Sequence, residues 1–536
     1  MVWSDNKEFN GASYQESDKI AAHIVQYTRG HVLDLGSGPK KCWPHFVNID
    51  SCVDFNGKIH GQINVAQNCR SLKLFGDASW DSVFSSHLLE HFDRKEVPAI
   101  LSEWARVLRP NGYLVLYVPS ANFYPKAGTP GANVDHKWDI YPGDIEKILQ
   151  EATTCGWMQL EKEERSGTNE YSHFLVFKKR TDGKFVESIW ERNPEGNKRC
   201  LVIRYGAIGD QIQASSVLPQ LKAQGYHITY STSPPADSVL RHDPNIDAFM
   251  LQDQDQVPNN ELGSYWMQLE ERYDKVINFC ESTEGGLLQL PGRLQSKYPL
   301  GARQKIYGTV NYIERLHDIA DVPFVPNPRF YATDAEVEIA KAERAKIAAP
   351  VIIWCLTGTS HHKTYPYTQE VLKMLIENSP AHIYLYGDKH IAKMLQDAII
   401  TCLEEDKVDL SRVHARCGDW DIRASMAFAQ QVDVVIGPET GVMNGVAHED
   451  SVHKVIYLSH SSPTNLTRDW INTTVLTPKN TACFPCHLLH YSFDNCTKIE
   501  STQAAMCATD IPTTEIFKAV MDELIRKAKL IDEAAE

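Results

Sequence analysis

The sequence lacks three features that would define a special class of protein. Its 54 lysines and arginines stand against 69 aspartates and glutamates, a net charge of −15, so it has no basic surplus with which to hold nucleic acid or anionic membrane non-specifically. No apolar run approaches the length of a bilayer span, and the polar start MVWSDNKEFN does not have the pattern of a signal peptide. These absences predict a cytoplasmic protein without a membrane span.

Closely spaced cysteine pairs are also scarce. The 13 cysteines are odd in number and mostly scattered, which favours a reducing compartment over a disulfide framework. The composition, 43% hydrophobic and 23% charged, is ordinary for globular protein. A chain of 536 residues predicts several cores, roughly three to four.

The N-terminal third begins with a strand, a glycine turn and a second strand. HVLDLGSGP (31–39) predicts a buried strand followed by a turn at Gly36, Ser37 and Gly38, and FVNID closes a second strand at Asp50. An acid at that position can accept both hydroxyls of a ribose, as in dinucleotide sites. The later patterns are WDSVFSSHLLEHF (80–92), RVLRPNGYLVLYVP (106–119) and DHKWDIYPGDIEKILQEATTCGW (135–157).

In this order, the motifs resemble the class I S-adenosylmethionine-dependent methyltransferases. The resemblance implies a Rossmann-like domain with a seven-stranded sheet, whose glycine turn passes under the methionine part of the cofactor. It implies that Asp34 orients the cofactor's amino group through water, that Asp50 holds the ribose and that His87 borders the methyl-transfer pocket. His136 matches a histidine that this branch carries before its last helix.

Two positions depart from that family. Lys40 replaces the third glycine of the motif, and Ile63-Asn64 stands where the family has an Asp-Leu pair that reads adenine. Asn64 can still bond an adenine edge. A methyltransferase fold that no longer methylates therefore stays an alternative.

The second half begins with another apolar strand and glycine turn. LVIRYGAIGD (201–210) places Asp210 at a helix start on the carboxyl edge of a predicted sheet, although a capping aspartate would give the same pattern. PVIIWCLTGTS (350–360) starts a further unit, and VDVVIGPETGVMNGVAHED (432–450) repeats strand, turn and helix. Thr440 and Gly441 offer a helix N-terminus to an anion. Lys363 can supply a cation to that anion, or it is a solvated surface lysine.

The motifs RYGAIGD, GTSxxKxYP and GPETGxMN, in this order, resemble the heptosyltransferase family of glycosyltransferases. The resemblance implies a GT-B fold with the acceptor on the first Rossmann-like domain and the nucleotide-sugar on the second, and inverting, metal-independent transfer. It makes Asp210 the general base, with Lys363, Thr440 and Gly441 stabilising the leaving diphosphate. The resemblance also implies that Thr357, Thr359, Asp388 and Glu439 help to bind the nucleotide-sugar. Three positions depart from the family: Glu439 (usually Asp), Asn444 (usually His) and Tyr365 (usually Trp).

A cysteine cluster lies near the C-terminus. Cys483 and Cys486 form a C-x2-C pair, followed by Cys496 and Cys507, a spacing that suits a structural zinc site. Disulfides and buried thiols remain open as alternatives, because the later two cysteines lack the tight spacing. His487 and His490 are further candidate ligands.

The sequence therefore predicts an α/β chain with a methyltransferase-like domain over 1–180, a linker over 181–198, and a GT-B module. Its acceptor domain spans 199–345, and its nucleotide-sugar domain spans 346–536, including the cysteine cluster and a terminal helix. The predicted function is glycosyl transfer from a nucleotide-sugar to a glycan or glycolipid, plus methyl transfer from S-adenosylmethionine. The alternatives are nucleobase glycosylation in a viral or bacterial modification system, which the acidic balance disfavours, and a structural or assembly protein that reuses both folds. No oligomeric state is predicted.

Overall fold

The computed structural model describes residues 15–51, 61–187, 197–280, 299–487 and 496–535. The chain forms two compact units, one of Met1–Arg199 with Met250–Lys275 and the other of Cys200–Phe249 with Val276–Glu536. Much of the predicted linker, residues 188–196, and His490 lie outside the described residues. No helix in the described ranges combines the length and apolarity needed to cross a bilayer.

An eight-stranded sheet forms the centre of the first unit. Its order is β3-β2-β1-β4-β5-β7-β6-β8, with β7 antiparallel to both β5 and β6. The predicted seven strands are wrong by one, because a short strand after the β6–β7 hairpin adds in parallel to β6. The strands are β1 Val32–Leu35, β2 Val47–Asp50, β3 Val65–Ala66, β4 Trp80–Ser86, β5 Leu108–Pro119, β6 Gly156–Gly167, β7 Glu170–Arg180 and β8 Phe185–Glu187.

Amphipathic helices cover this sheet. In Val97–Val107, the buried Ile100, Leu101 and Trp104 recur at helical spacing, so one face packs into the core of the unit. The helices of this unit are α1 Ala21–Ile24, α2 Val97–Val107, α3 Asp144–Ala152 and α7 Leu262–Glu270, with short 3-10 turns at Glu16–Lys19, Val25–Tyr27 and Leu89–His91.

A four-stranded sheet of order β11-β10-β9-β12 opens the second unit. Its strands are β9 Arg199–Ile203, β10 His227–Thr232, β11 Ala248–Leu251 and β12 Lys275–Asn278. The helices that follow its strands are α4 Ile208–Ser215, α5 Leu218–Ala223, α6 Pro234–Leu240, α8 Leu300–Thr309, α9 Tyr312–Ala320 and α10 Asp334–Arg344. This alternation of strands and helices is the pattern predicted for a Rossmann-like domain.

The remainder of the second unit contains a fully parallel six-stranded sheet of order β15-β14-β13-β16-β17-β18. Its central strand, Val351–Cys355, is buried at every residue, as expected for a parallel sheet covered on both faces. The strands are β13 Val351–Cys355, β14 His382–Tyr386, β15 Val413–Ala415, β16 Val434–Gly437, β17 His453–Tyr457 and β18 Thr473–Leu476. The helices are α11 Thr368–Asn378, α12 Ile391–Glu405, α13 Ile422–Ala429, α14 Gly441–Gly445, α15 Pro463–Leu466, α16 Met506–Thr509 and α17 Thr513–Ala535.

Segment 250–275 groups with the first unit, although the sequence assigns it to the acceptor domain. Asp253 accepts an ion-paired hydrogen bond from Arg29 at 2.8 Å, and Gln256 donates to the backbone oxygens of Val25 at 2.6 Å and Thr28 at 3.0 Å. These polar contacts tie the segment that carries α7 to the residues around α1. The predicted domain boundaries stay predictions.

Candidate active sites

The glycine turn after β1 has the backbone conformation that its sequence predicts. Gly36 and Gly38 have φ of 71° and 64°, which few residues other than glycine adopt. The Gly38 amide donates to Asp50 Oδ2 at 2.8 Å. A Cβ on Gly38 would lie 2.4 Å from Gln15 Nε2. The turn is thus closed onto the acid at the end of β2, and the positive φ of Gly38 disfavours a side chain there.

This turn borders a cavity of about 200 Å³. Asp34 is buried in its wall, and burial raises the pKa of this carboxyl, with the nearby charge of Asp50 adding and that of Lys41 opposing. A carboxyl that holds its proton can donate as well as accept a hydrogen bond. The cavity is lined by Gln15, Glu16, Ser17, Asp34, Gly36, Ser37, Gly38, Ser86 and His87.

The two positions that depart from the methyltransferase motif have structural partners. Lys40 lies 2.5 Å from Asp18, and both side chains are buried. Asn64 pairs with β2: its side-chain oxygen accepts from the Asn48 amide, and its own amide donates to the Asn48 oxygen, both at 2.9 Å. The side-chain oxygen of Asn64 thus already has a partner within the sheet. Its role in reading adenine stays a prediction.

His87 stands at the cavity wall, just after β4. Its Nε2 lies 3.0 Å from Ser172 Oγ. The pKa of His87 is lowered to about 3, first by burial and then by the positive charges of Lys19, His136 and His91. The imidazole is therefore neutral at physiological pH. It can exchange hydrogen bonds there but carries no positive charge.

Glu90 is a residue of this region to which the sequence reasoning assigned no role. Its carboxylate lies between three imidazoles: Oε1 is 3.6 Å from Nδ1 of His87, 3.7 Å from Nε2 of His136 and 3.9 Å from Nε2 of His91. Burial raises the pKa of Glu90 to about 8, with its own backbone amide opposing. The HLLEH spacing at 87–91 could have signalled this cluster, because it carries a histidine–glutamate–histidine set within one turn.

In the second unit, Asp210 lies in the first turn of α4. Its carboxylate accepts a hydrogen bond from the Ala207 amide at 3.3 Å. The alternative of a helix-capping aspartate therefore corresponds to a contact present in the structure. The guanidinium of Arg204 is 3.5 Å from its carboxylate. Arg204 is itself buried and donates to the Phe279 oxygen at 3.1 Å and to the Tyr312 hydroxyl at 2.8 Å. Asp210 therefore has a fixed cation beside it, and it stays partly exposed.

The start of α4 contacts the loop after β16. A Cβ on Gly209 would lie 2.7 Å from Asn444 Nδ2 and 3.0 Å from Glu439 Oε1. Gln213 donates to Asn444 Oδ1 at 2.7 Å, and Asn444 donates to Glu439 Oε1 at 2.6 Å. Residues from the first and third of the glycosyltransferase-like motifs are thus direct neighbours, and a glycine at 209 permits the approach.

Lys363, from the second motif, belongs to the same group. Its amine lies 2.5 Å from Glu439, and the residue is only 8% exposed, so the solvated-surface alternative is wrong. Burial alone would raise the pKa of Glu439, but the charge and hydrogen bond of Lys363 and the bond from Asn444 outweigh it, so this pKa is lowered. The ion pair places one positive and one negative group beside the start of α4.

Thr440 and Gly441 complete the turn at this position. The Thr440 hydroxyl accepts from the Met443 amide at 3.4 Å as the cap of α14. A Cβ on Gly441 would lie 2.9 Å from Ile208 Cγ2. The loop therefore packs on the start of α4 through small residues.

The other predicted donor-site residues are less closely tied to this group. The Thr357 hydroxyl is 2.8 Å from that of Thr364, and Thr359 is exposed. Asp388 accepts from the amides of His390 at 2.7 Å and Ile391 at 2.8 Å, so it caps α12. A ribose contact from Asp388 stays a prediction.

The zinc site predicted from the cysteine spacing stays a prediction. Cys483, Cys486, Cys496 and Cys507 are thiols rather than disulfides, and among the described residues no three of them bring their sulfurs within 4.8 Å of one another. Burial raises the pKa of Cys496 to about 11, with Cys486 and Cys483 adding. Burial also raises the pKa of Cys507, with Cys496, Cys486 and Cys483 adding, so the four thiols lie close enough to influence one another.

Sequence reasoning also missed residues around the glycosyltransferase-like site. Arg204 is part of the RYGAIGD motif, but the motif alone does not reveal its contact with Asp210. The ring of His362 lies 4.1 Å from that of His460, which lies 5.1 Å from that of His487. These three histidines come from separate segments, so local spacing carries no signal for their meeting.

Comparisons with known proteins find similar proteins for both parts of the chain. Residues 45–116 match the family model described as a methyltransferase domain. Among solved structures, Escherichia coli ADP-heptose lipopolysaccharide heptosyltransferase II is 15% identical, with a TM-score of 0.44 over 62% of this chain and 99% of that one. A family 9 glycosyl transferase from Veillonella parvula is 15% identical, with a TM-score of 0.44 over 61% and 98%.

A further solved structure matches the N-terminal part. It is an S-adenosylmethionine-dependent methyltransferase from Archaeoglobus fulgidus, 18% identical, with a TM-score of 0.24 over 32% of this chain and 96% of that one. A search of curated proteins finds no significant match. The predicted α/β fold class is confirmed by the three sheets, and the predicted resemblance to methyltransferases by the family-model match over residues 45–116.

Proposed function

We propose that the chain is a bifunctional transferase that carries out inverting glycosyl transfer from a nucleotide-sugar to a glycan or glycolipid, and methyl transfer from S-adenosylmethionine. The observation that carries the first activity is the meeting of three motifs at one place. Gly209 abuts Glu439 and Asn444, and Glu439 pairs with Lys363. Residues so far apart in sequence are held together by polar contacts, as a binding site for a charged donor requires.

In this proposal, Asp210 takes the proton from the acceptor hydroxyl as that hydroxyl attacks the sugar. Arg204 holds the carboxylate in place and keeps a positive charge beside it. The leaving diphosphate gains negative charge, and Lys363 with the backbone amides of Thr440 and Gly441 stabilises it. The buried Glu439 orients Lys363 until the donor arrives.

For methyl transfer, the residues of the first cavity fit S-adenosylmethionine. The glycine turn leaves a cradle in which a Cβ at Gly38 would clash, and Asp50 closes the neighbouring strand, where it would hold the ribose. Bound there, the cofactor supplies an electrophilic methyl group. His87 would position the methyl acceptor as a neutral hydrogen-bonding partner, since burial holds its pKa low.

The test of the glycosyl-transfer proposal uses Asp210→Asn. Asparagine keeps the shape and one hydrogen bond but takes no proton, so turnover falls about 10²–10⁴-fold while donor binding survives. Lys363→Ala weakens both donor binding and rate, because the diphosphate is charged before and after transfer. Rates are measured with a panel of nucleotide-sugars and with glycan, glycolipid and DNA acceptors, and donor binding is measured by calorimetry.

Asp419→Asn is the matched control, since this carboxylate is more than half exposed in the same unit and has no role in the proposal. It should transfer sugar at the wild-type rate. If Asp210→Asn also transfers at that rate, Asp210 is not the base. Transfer to DNA alone would support the nucleobase alternative.

A further inference from the structure

The carboxyl group of Glu90 is buried among three imidazoles, and all three lie beyond hydrogen-bond distance. Glu90 is 0% exposed, and among the described residues neither of its carboxylate oxygens accepts a hydrogen bond. A carboxyl group without a hydrogen-bond partner in a protein interior is costly, whether it is protonated or ionised, so such a group calls for a ligand.

Two histidines face this carboxylate at distances too long for a hydrogen bond. Oε1 of Glu90 lies 3.7 Å from Nε2 of His136 and 3.9 Å from Nε2 of His91. One ligand atom of each of the three residues lies within 4.8 Å of the others. Two ligands at about 2.0–2.1 Å from a shared tetrahedral ion are themselves roughly 3.4 Å apart, so the two distances from the carboxylate to the imidazoles exceed that spacing by only a few tenths of an ångström.

The backbone fixes this arrangement. Glu90 and His91 share the 3-10 turn Leu89–His91 after β4, while His136 comes from the segment before α3. Two hydrogen bonds join these segments: the Lys137 amide donates to the Glu90 oxygen at 2.7 Å, and the Trp138 indole donates to the Leu89 oxygen at 3.0 Å. His136 is therefore held opposite Glu90 by its chain neighbours.

We propose that Glu90, His91 and His136 bind a divalent transition-metal ion of the zinc, iron(II) or manganese(II) class in the first unit. Two imidazoles and one carboxylate form a ligand set that such ions favour. Three protein ligands leave a coordination position for water or a substrate oxygen. His87, whose Nδ1 lies 3.6 Å from Glu90 Oε1, connects the site to the cavity. Binding of the ion does not rest on the proposed methyl transfer. Only a further role of the ion, coordination of the methyl acceptor, would rest on that proposed function.

The experiment loads the untagged full-length protein with Co²⁺, removes excess ion by dialysis, and measures bound cobalt and the visible d–d absorption. The wild type should bind the ion. His91→Ala and His136→Ala should each lower the affinity by more than the roughly 10–100-fold that loss of an outer-shell partner costs. His91 is partly exposed, so its variant tests binding even if loss of the more buried His136 unfolds the domain; circular dichroism checks the fold of both.

Two control proteins separate this site from other ligands. His31→Ala removes an exposed histidine of the same unit and should leave the absorption unchanged. The double variant Cys483→Ser/Cys496→Ser removes thiolates, whose coordination adds a near-ultraviolet charge-transfer band that imidazole and carboxylate do not give. The proposal is overturned if the wild type binds no cobalt, if both histidine variants bind it as tightly as the wild type, or if only the cysteine variant loses it.

Discussion

The ion pair between Lys40 and Asp18 offers the sharpest test of how the cofactor cavity is held. Replacing Lys40 by Met leaves Asp18, which is 2% exposed, without its cation. Removing one partner of a buried pair costs about 3–5 kcal/mol, which is on the order of 10²–10⁴-fold in a local opening equilibrium. Because Ser17, beside Asp18, lines the cavity, we expect segment 15–27 to open and S-adenosylmethionine to bind more weakly.

Hydrogen exchange followed by mass spectrometry measures this effect directly, since peptides covering 15–27 report local opening. The variant Lys40→Met should exchange there on the order of 10²-fold faster or more, while Lys73→Met, which alters an exposed lysine of the same unit, should not. The double variant Asp18→Asn/Lys40→Met should recover most of the protection, because no charge is left buried. Unchanged exchange in Lys40→Met, or a double variant as open as the single one, would refute this account of the pair.

Two further predictions follow from single contacts. Gly38→Ala combines a backbone strain of about 1–3 kcal/mol with a clash against Gln15, so calorimetry should show weakened S-adenosylmethionine binding; Gly128→Ala, also at positive φ but with nothing within 4 Å, should leave binding unchanged. The hydrogen bond from Arg423 lowers the pKa of Glu336 to about 2. The stability that this ion pair contributes is therefore present above the unfolded pKa of about 4.5, and it is lost as the pH falls toward 2. The unfolding midpoint should therefore drop more between pH 5 and pH 3 in the wild type than in Glu336→Gln, and equal drops would contradict the assignment.

Features encoded by short patterns were predictable from the sequence. The turn at Gly36 and Gly38 and its bond to Asp50 follow from a strand, two glycines and an acid at fixed spacing, because backbone conformation is local. The alternation of strands and helices in the second unit was predictable for the same reason. The α/β class and the resemblance to methyltransferases rest on these patterns, and they are confirmed.

Features that depend on long-range partners were not predictable. Lys363 and Glu439 are 76 residues apart, and neither residue reveals which charge it will meet. The cysteine spacing suggested zinc, but spacing alone does not fix the positions of four sulfurs, because ligand geometry is set by the paths of the loops. In the sequence, Glu90 is one residue of a family motif. Its burial among three imidazoles, which sets its chemistry apart, is visible only in the structure.

The pairing of Lys363 with Glu439 also has a thermodynamic consequence for donor binding. A diphosphate that recruits Lys363 draws the positive charge away from a carboxylate that is held in a largely buried position. A buried carboxylate that loses its cation gains affinity for a proton. Binding of a nucleotide-sugar should therefore be accompanied by proton uptake, so its measured enthalpy would vary with the ionisation enthalpy of the buffer and its affinity would fall as the pH rises.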